Sequence, residues 1–279
     1  MNVRTTLEWM ITSLAETECE TPDLDARVLM AHALGIEPSH LLIEGARELA
    51  AHEEALAFSL LERRMRHEPV AYITGKKEFY SLEFLVGPEV LIPRPETELL
   101  VDMALYHAPR QGRVLDLGTG SGAIAVSIKH NRKDLAVYAT DISPAAVESA
   151  RANCARLLGG GEIIFATGDL FEPVDGEVFD LIASNPPYVD PGQRDRLRPD
   201  LAYEPSLALY ADDRGGAVVF RIIDEAPPRL APGGMVIMEL CPDLRERVMR
   251  KGRDRGFDVS IINDYGGFAR VALLKQGRE

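Results

Sequence analysis

The chain has 279 residues, of which 46% are hydrophobic and 27% charged, as expected for a globular protein with one large or two modest domains. Its formal charge is 31 minus 44, or −13. Proteins that act on a large polyanion usually carry a basic surface, so this balance argues against direct nucleic-acid binding.

Membrane insertion and secretion are also disfavoured. No run approaches the roughly 18 apolar residues that span a bilayer, and the N-terminus is not followed by the apolar segment of a signal peptide. The three cysteines, Cys19, Cys154 and Cys241, are far apart and show no metal-ligand spacing. We therefore expect a cytoplasmic protein with reduced thiols, no metal and no membrane partner.

The first 75 residues carry a helical pattern. Thr21 and Pro22 are typical of a helix start, with Thr21 as the capping residue, and Gly35 is typical of a helix end. The predicted inward face of this helix comprises Leu24, Val28, Leu29, Ala31 and Leu34. A further helix is predicted from His52 to Arg66, with Leu56, Leu60 and Leu61 inward. Its basic end at 63–66 fits either a solvated helix end or a contact with a charged partner.

From Pro69 the pattern changes to that of extended chain. Residues 71–74 and 78–86 alternate in polarity and are rich in aromatic and β-branched side chains, which favours strands. A turn at Gly87-Pro88 and a return strand at 90–92 complete a predicted β-hairpin, which we expect to link two domains over residues 76–95. Glu96 or Thr97 is then predicted to cap a helix that begins near Leu99.

Strands and helices alternate after Gly112. This order predicts an α/β domain over residues 96–279, with a seven-stranded, mostly parallel, Rossmann-like sheet covered by helices on both faces. The predicted strands are 113–117, 135–140, 162–166, 178–184, 235–240, 258–262 and 270–274. A turn at Pro232-Gly233-Gly234 precedes the fifth strand.

A glycine-rich loop, Gly118-Thr119-Gly120-Ser121-Gly122, joins the first of these strands to its helix. Such a loop lets the backbone approach a ligand and directs helix N–H groups at it, so we predict that residues 118–122 bind a cofactor. The loop also satisfies the loose dinucleotide pattern, with Ala123 in its third small position. It therefore does not separate a nicotinamide cofactor from S-adenosylmethionine.

Acidic residues near strand ends are further candidates. Asp141 ends the second strand, where a ribose-binding acid is expected, although it could instead begin a helix that Ser143 caps. Asp116 either faces the cofactor's ammonium group or braces the loop. After the third strand, Asp169 can accept a hydrogen bond from an adenine amino group and Leu170 can pack on the ring; the alternative is a plain turn.

The fourth strand runs into Asn185-Pro186-Pro187-Tyr188, which we name the amide clamp. Neither proline carries an N–H, so the backbone must leave the sheet after Asn185, at the end of the strand where ligands bind in open α/β sheets. Asn185 offers a side-chain oxygen and Pro186 a backbone oxygen. Together they can hold a planar –NH₂ group while its nitrogen attacks an electrophile, with Tyr188 lying against the plane.

This chemistry suits a methyl donor. S-adenosylmethionine carries a reactive methyl group, so the protein mainly supplies geometry. A nicotinamide enzyme would need a proton donor beside a carbonyl, and no histidine or tyrosine–lysine pair presents itself. We therefore predict Asn185, Pro186 and Tyr188 as catalytic residues and Asn185–Tyr188 as the substrate-binding segment, although the clamp alone would accept adenine or glutamine.

Over nearly its whole length the chain resembles the bacterial release factor glutamine methyltransferases. The shared stretches are 68–75, 91–98, 115–122, 141–143, 185–188 and 203–205. The resemblance implies a class I S-adenosylmethionine-dependent methyltransferase with a small N-terminal helical domain that helps to hold the substrate. It implies methylation of the side-chain nitrogen of the glutamine in the Gly-Gly-Gln motif of peptide chain release factors. It also assigns residues 118–122, Asp141, Leu170 and Asn185 to the cofactor.

Two features depart from the family. Leu170 stands where members often have Trp, so adenine stacking should be weaker. Glu239-Leu240-Cys241-Pro242 replaces the usual Glu-x-Gly, so the loop after the fifth strand can differ.

Three alternative functions stay open. One is a glutamine methyltransferase of a large-subunit ribosomal protein. The second is a DNA adenine N6-methyltransferase, which the negative charge disfavours. The third is a silent binding module, which the intact Asn185 and Tyr188 disfavour.

Overall fold

The structure is a computed structural model that describes residues 1–159 and 163–277. It divides into two compact units: a helical unit of Met1–Lys76 with Arg198–Tyr203, and a sheet unit of Lys77–Leu197 with Glu204–Glu279. No helix in the described ranges combines the length and the apolar character needed to cross a membrane.

The helical unit packs its helices around one apolar core, which includes Met10, Leu14, Leu29, Met30 and Leu61. The helices are α1 (Val3–Ala15), α2 (Pro22–Leu34), α3 (Leu41–Glu44), α4 (Ala51–Met65) and α5 (Val70–Thr74). The predicted helices over 22–34 and 52–66 are therefore confirmed, and Gly35 ends the first with a φ of 64°.

The inward faces of α2 and α4 differ from the prediction. Leu24 is 59% exposed and Leu56 is 42% exposed, so both were wrongly placed in the core. Alanines take their place: Ala26 in α2 and Ala57 in α4 are fully buried. Small side chains let these helices approach closely, which a search for large apolar residues overlooks.

Thr21 does not cap α2 with its side chain. Its hydroxyl donates instead to the carboxylate of Asp25, at 2.9 Å. The same carboxylate accepts from Arg64 at 2.7 Å, and the Arg64 side chain is only 11% exposed. The basic end of α4 is therefore not uniformly solvated, because Arg64 forms a buried ion pair and Arg63 is bonded to Glu68.

The segment between the helical pattern and the α/β pattern was predicted incorrectly in two respects. Residues 71–74 belong to α5 and not to a strand, because the Pro69 carbonyl accepts from the Tyr72 and Ile73 N–H groups and starts a helical turn. The hairpin exists, but it pairs β1 (Lys76–Phe79) with β2 (Leu82–Leu85).

The turn of this hairpin lies at Tyr80-Ser81 and not at Gly87-Pro88. Tyr80 and Ser81 have φ values of 53° and 59°, as both central residues of a type I′ turn require. Residues 90–92 form no strand; instead the Ile92 N–H donates to the Glu204 side chain at 3.1 Å. Sequence reasoning missed the turn because neither Tyr nor Ser is a usual residue at positive φ.

The sheet unit contains the predicted seven-stranded sheet. Its strands are β3 (Arg113–Leu117), β4 (Ala136–Asp141), β5 (Ile163–Thr167), β6 (Phe179–Ser184), β7 (Leu230–Glu239), β8 (Phe257–Asn263) and β9 (Ala269–Gln276). Their order is β5-β4-β3-β6-β7-β9-β8. The first five strands in this order pair in parallel, and β9 runs antiparallel to both β7 and β8. Glu162, the predicted start of the third strand, lies outside the described residues.

Helices alternate with most of these strands, as predicted. α6 (Glu98–His107) precedes β3, and the later helices are α7 (Ala123–Asn131), α8 (Pro144–Leu158), α9 (Ser206–Leu209), α10 (Ala217–Glu225) and α11 (Arg245–Asp254). One strand differs: β7 begins at Leu230, so the turn predicted at 232–234 lies inside it. There the register with β6 shifts and Gly233 has a φ of 78°, which marks a bulge.

The strand order places a crevice at the centre of the sheet. From β3 the chain moves outward through β4 and β5, and it then returns to add β6 and β7 on the other side of β3. In parallel sheets such a reversal leaves a crevice at the carboxyl ends of the two central strands, because the helices that follow them lie on opposite faces. These strands are β3, which precedes the glycine loop, and β6, which precedes the amide clamp.

The buried ion pair of the helical unit gives a stability prediction. Arg64→Met should lower the free energy of unfolding by about 3 kcal/mol, because it leaves the Asp25 carboxylate buried without its cation. Arg66→Met is the matched control, since the Arg66 side chain is 74% exposed and its pairing with Glu62 should contribute below about 1 kcal/mol. Urea unfolding of both variants measures the difference. Equal losses of unfolding free energy would show that the Arg64–Asp25 pair contributes no more to stability than the exposed Arg66–Glu62 pair.

Candidate active site

The glycine loop after β3 needs glycine for two different reasons. Gly118, Gly120 and Gly122 all have positive φ, of 72°, 55° and 81°. A Cβ at Gly122 would lie 3.1 Å from the Cβ of Ala150 in α8, so the packing of the loop against α8 leaves no room for a larger residue at this position. A Cβ at Gly118 or Gly120 would meet no heavy atom within 4 Å. The loop therefore turns two bare backbone segments toward open space, where a ligand can approach.

Hydrogen bonds hold this loop from behind. The N–H groups of Gly118 and Thr119 both donate to the Thr140 carbonyl, at 2.9 and 3.0 Å. The buried Asn153 of α8 donates to the Ser121 carbonyl at 2.9 Å and also bonds to the backbone of Leu85 in β2. The loop is thus fixed before any ligand binds.

Asp116 braces the loop. Its Oδ2 accepts from the Thr119 hydroxyl at 2.7 Å and from the Ala125 N–H at 3.2 Å, which ties the end of β3 to the start of α7. The side chain is fully buried, and this burial raises its pKa to about 7 against the effect of both hydrogen bonds. Of the two roles considered for Asp116, bracing is the one that the hydrogen bonds show.

Asp141 lies at the end of β4 beside the loop. Its Oδ2 accepts from the Gly120 N–H and its Oδ1 from the Ser143 N–H, both at 2.9 Å. Burial raises its pKa, while these N–H groups favour the ionised form. A carboxylate has about four acceptor positions, so Asp141 can still accept from two further donors, such as ribose hydroxyls. Ser143 caps α8, as predicted, by accepting from the Ala146 N–H.

Asp169 and Leu170 form the turn after β5. The Asp169 carboxylate accepts two hydrogen bonds from Arg221 of α10, at 3.2 and 2.9 Å. Leu170 has a φ of 43°, packs against the sheet core and accepts at its carbonyl from the Thr140 hydroxyl at 3.2 Å. These hydrogen bonds and the packing of Leu170 therefore fix the conformation of the turn. Leu170 itself is only partly buried.

The amide clamp is joined to a buried carboxylate. Asn185 Nδ2 donates to Thr97 Oγ1 at 3.1 Å, and the Thr97 hydroxyl donates to Glu239 Oε2 at 2.6 Å. The Tyr188 hydroxyl donates to the other oxygen, Glu239 Oε1, at 2.9 Å. Glu239 thus holds both ends of the clamp.

This carboxylate is 1% exposed and ends β7. Burial raises the pKa of Glu239, while the hydrogen bonds from Thr97 and Tyr188 and the positive charge of Arg270 lower it. The pKa of Tyr188 is raised by burial and by the negative charge of Glu239, so its phenol stays protonated and serves as a donor.

The backbone of the clamp is fixed on both sides. Before it, the Ser184 hydroxyl donates to the Leu117 carbonyl at 2.8 Å, which joins the ends of β6 and β3. After it, Val189 donates to the Leu209 carbonyl and accepts from the Ala211 N–H. Gly215 lies against the Tyr188 carbonyl so closely that a Cβ there would come within 2.1 Å of the carbonyl oxygen.

The loop after β7 begins with the sequence departure noted above. Cys241 approaches the Tyr188 carbonyl with its sulfur at 4.0 Å, and residues 242–244 form one turn of 3₁₀ helix before α11. Burial raises the pKa of the Cys241 thiol. The departure therefore lies directly beside the clamp.

Two of the stretches that carried the resemblance meet in the sheet unit. Glu204 is buried and accepts from the guanidinium of Arg94 and from the Ile92 N–H. This contact holds the segment 92–97 and thereby helps to place Thr97. Thr97 occupies the predicted N-cap position of α6, but its side chain forms no capping bond, because its hydroxyl donates to Glu239.

The predicted site residues are thus grouped around the carboxyl ends of β3, β4, β5 and β6. Thr97 and Glu239 are the residues whose part in the site sequence reasoning missed. An acid at the end of a buried strand was the feature that could have pointed to Glu239. Among residues 1–159 and 163–277, no group of three or more His, Cys, Asp or Glu side chains is arranged to hold a metal ion.

Comparison with known proteins gives the following matches. Residues 5–75 match the family described as the PrmC N-terminal domain, and residues 95–200 match the methyltransferase small domain. The release factor glutamine methyltransferase of Neisseria gonorrhoeae is 41% identical over 258 residues, which cover 91% of this chain and 93% of that protein. The release factor glutamine methyltransferase of Koribacter versatilis is 36% identical over 277 residues, which cover 98% of each.

Among solved structures, a methyltransferase from Pyrococcus furiosus superposes with a TM-score of 0.57 at 21% identity. The match covers 77% of this chain and 98% of that one. At this identity the likeness shows the fold alone, which is the predicted class I methyltransferase fold.

The different surroundings of the loop glycines give a prediction. Gly118→Ala should lower the free energy of unfolding by about 1–2 kcal/mol, the strain of a Cβ at positive φ. Gly122→Ala should cost about 1–3 kcal/mol more, because its methyl group also meets Ala150. Chemical denaturation without added ligand measures both losses. Equal losses would contradict the assignment of Gly118 to the open side of the loop.

Proposed function

Because the chain belongs to the family of release factor glutamine methyltransferases, we propose that it methylates the side-chain amide nitrogen of the glutamine in the Gly-Gly-Gln motif of peptide chain release factors. S-adenosylmethionine is the methyl donor. The release factor is the protein partner, the cytoplasm is the compartment, and the reaction needs no metal, membrane or nucleic acid.

One observation carries this proposal. Leu117 of β3 is paired with Ser184 of β6, so Gly118 and Asn185 leave the sheet side by side. Neighbouring strands lie about 4.8 Å apart, so the glycine loop and the amide clamp open into the same crevice. A methyl donor on the loop and an –NH₂ group on the clamp would then be held next to each other, as a displacement reaction requires.

The cofactor would lie along the ends of β3, β4 and β5. The bare backbone of residues 118–122 would approach its methionine part, and Asp141 would accept from the ribose hydroxyls with its remaining lone pairs. The turn at Asp169 and Leu170 would take the adenine, with Leu170 against the ring and Asp169 accepting from the amino group. The bound cofactor supplies an electrophilic methyl group.

The clamp would prepare the nitrogen for attack. An amide nitrogen is a poor nucleophile because its lone pair is delocalised. The Asn185 side-chain oxygen and the Pro186 carbonyl would accept its two N–H bonds, which fixes the nitrogen and favours the more tetrahedral nitrogen of the transition state. Pro187 keeps the segment extended, and Tyr188 covers the planar group and excludes water. No strong base is needed, because the methylated nitrogen is cationic and loses its proton readily.

The choice of glutamine over adenine comes from outside the clamp. We assign residues 1–75 to recognition of the release factor, residues 76–95 to the hairpin linker and residues 96–279 to the methyltransferase domain. The formal charge of −13 supports a protein substrate over a nucleic acid.

The reaction is tested by incubating a release factor with the full chain and methyl-labelled S-adenosylmethionine, followed by digestion and mass spectrometry. We expect one label, on the Gly-Gly-Gln glutamine, and none on a release factor in which that glutamine is alanine. Label on a ribosomal protein or on DNA, or on no substrate, would contradict the proposed function.

The role of Asn185 gives a kinetic prediction. Asn185→Ala should raise the activation free energy by about 2–4 kcal/mol, as loss of one oriented hydrogen-bond partner does elsewhere, and it should affect turnover more than cofactor binding. Asn131→Ala, at the exposed end of α7, is the control and should leave turnover unaltered. Steady-state kinetics and calorimetric cofactor binding separate the two effects. Turnover that survives Asn185→Ala would remove Asn185 from the mechanism.

A further inference from the structure

We propose that Thr97 and Glu239 are positioning residues that determine which end of the Asn185 side-chain amide faces the substrate. The inference rests on the proposed function, in which Asn185 must present an oxygen to the target –NH₂ group. The two residues do not touch the substrate in this account. They act through Asn185 and Tyr188.

The hydroxyl groups of Thr97 and Tyr188 both donate to Glu239. The Thr97 hydroxyl lies 2.6 Å from Glu239 Oε2, and the Tyr188 hydroxyl lies 2.9 Å from Glu239 Oε1. An ionised carboxylate can accept both bonds, because it has no hydrogen to donate. In this form Glu239 directs both hydroxyl protons at itself.

Thr97 passes this direction on to Asn185. A hydroxyl carries one hydrogen, and that of Thr97 is already directed at Glu239. Toward Asn185, at 3.1 Å, its oxygen can then only accept. The Asn185 atom at this distance must be the donor Nδ2, because two acceptors would repel each other. Asn185 Oδ1 is consequently turned away from Thr97 and left as an acceptor for the substrate amide.

The direction of these bonds depends on the charge of Glu239. Burial raises the pKa of this carboxyl group above its ordinary value, although the hydrogen bonds from Thr97 and Tyr188 and the positive charge of Arg270 act in the opposite direction. In the proposed arrangement Glu239 is ionised, which is the form that accepts both hydroxyl hydrogen bonds. Arg270 belongs to β9, which pairs with β7 through Glu239 and Val271, so a cation is built into the adjacent strand. A protonated Glu239 could donate to Thr97, and the direction of every bond in the chain Asn185–Thr97–Glu239 would then reverse.

Three variants separate positioning from packing. Thr97→Val keeps the shape of the side chain but removes the hydroxyl, so Asn185 Nδ2 loses its acceptor. Thr97→Ser keeps the hydroxyl. Glu239→Gln keeps the size of the side chain, but its –NH₂ must face either Thr97 or Tyr188, so one of the two hydroxyls must reverse its direction.

We expect turnover to fall by roughly 10- to 100-fold in Thr97→Val, the loss associated with a hydrogen bond to a charged group. In Glu239→Gln turnover should fall to the same extent when the new –NH₂ faces Thr97, because the Thr97 hydroxyl then turns toward Asn185. The KM for S-adenosylmethionine should rise less than turnover falls, because Thr97 and Glu239 reach the cofactor only through Asn185, one of several residues assigned to it. Thr97→Ser should restore most of the turnover. Thr6→Val in α1 removes another buried hydroxyl, which donates to the Asn2 carbonyl, and serves as the matched control for stability.

A spectroscopic measurement needs no activity. In the ¹⁵N-asparagine-labelled protein, the Asn185 side-chain N–H that donates to Thr97 should exchange slowly with solvent. Exchange should become faster in Thr97→Val and stay slow in Thr97→Ser, whereas a residue needed only for packing would leave the Ser and Val variants alike.

The outcomes are distinguishable. A wild-type chain that labels no Gly-Gly-Gln glutamine would overturn the proposed function. The hydrogen-exchange measurement does not depend on activity, so unchanged exchange of the Asn185 side-chain N–H in Thr97→Val would overturn the inference in either case. A wild-type chain that methylates the glutamine, together with a Thr97→Val variant of wild-type turnover, would overturn the inference alone. Thermal unfolding midpoints near that of Thr6→Val exclude misfolding as the cause of lost turnover.

Discussion

The site depends on one buried carboxyl group. Glu239 ends β7 with its side chain 1% exposed, and burial of an ionised group is costly unless hydrogen bonds and a countercharge compensate it. Two hydroxyl groups and the nearby charge of Arg270 supply that compensation. Because the carboxylate accepts and cannot donate, the same contacts that stabilise it also orient Thr97, Tyr188 and, through Thr97, Asn185. Stability and site geometry therefore come from the same set of bonds.

The glycine loop contributes in a complementary way. Its backbone is held by Thr140, Asp116 and Asn153, so little rearrangement is needed when a ligand binds. Gly122 packs against α8, whereas Gly118 turns toward open space. The clamp follows the neighbouring strand, so in the proposed function both partners of the methyl transfer would meet at the point where the strand order reverses. Alignment of the reactants would then be the main contribution of the protein to the rate.

Much of the fold follows from local patterns in the sequence. The seven strands, the glycine loop, Asp141 and the proline exit after Asn185 were predicted because alternation, small residues and missing N–H groups act over a few residues. The hairpin turn was wrong because Tyr80 and Ser81 adopt positive φ without glycine. Thr97 and Glu239 were missed because their contacts join segments 88 and 142 residues apart in the chain. Local patterns carry no information about which distant strand end supplies the hydrogen-bond partner.

Neutron diffraction from a crystal grown in deuterated buffer tests the orientation of these bonds most directly, because it locates the exchanged hydrogens. The account predicts deuterium on Asn185 Nδ2 toward Thr97, deuterium on the Thr97 hydroxyl toward Glu239, and none on either oxygen of Glu239. Deuterium on the Glu239 carboxyl group, or Asn185 Oδ1 turned toward Thr97, would contradict the claim that Glu239 orients the amide clamp.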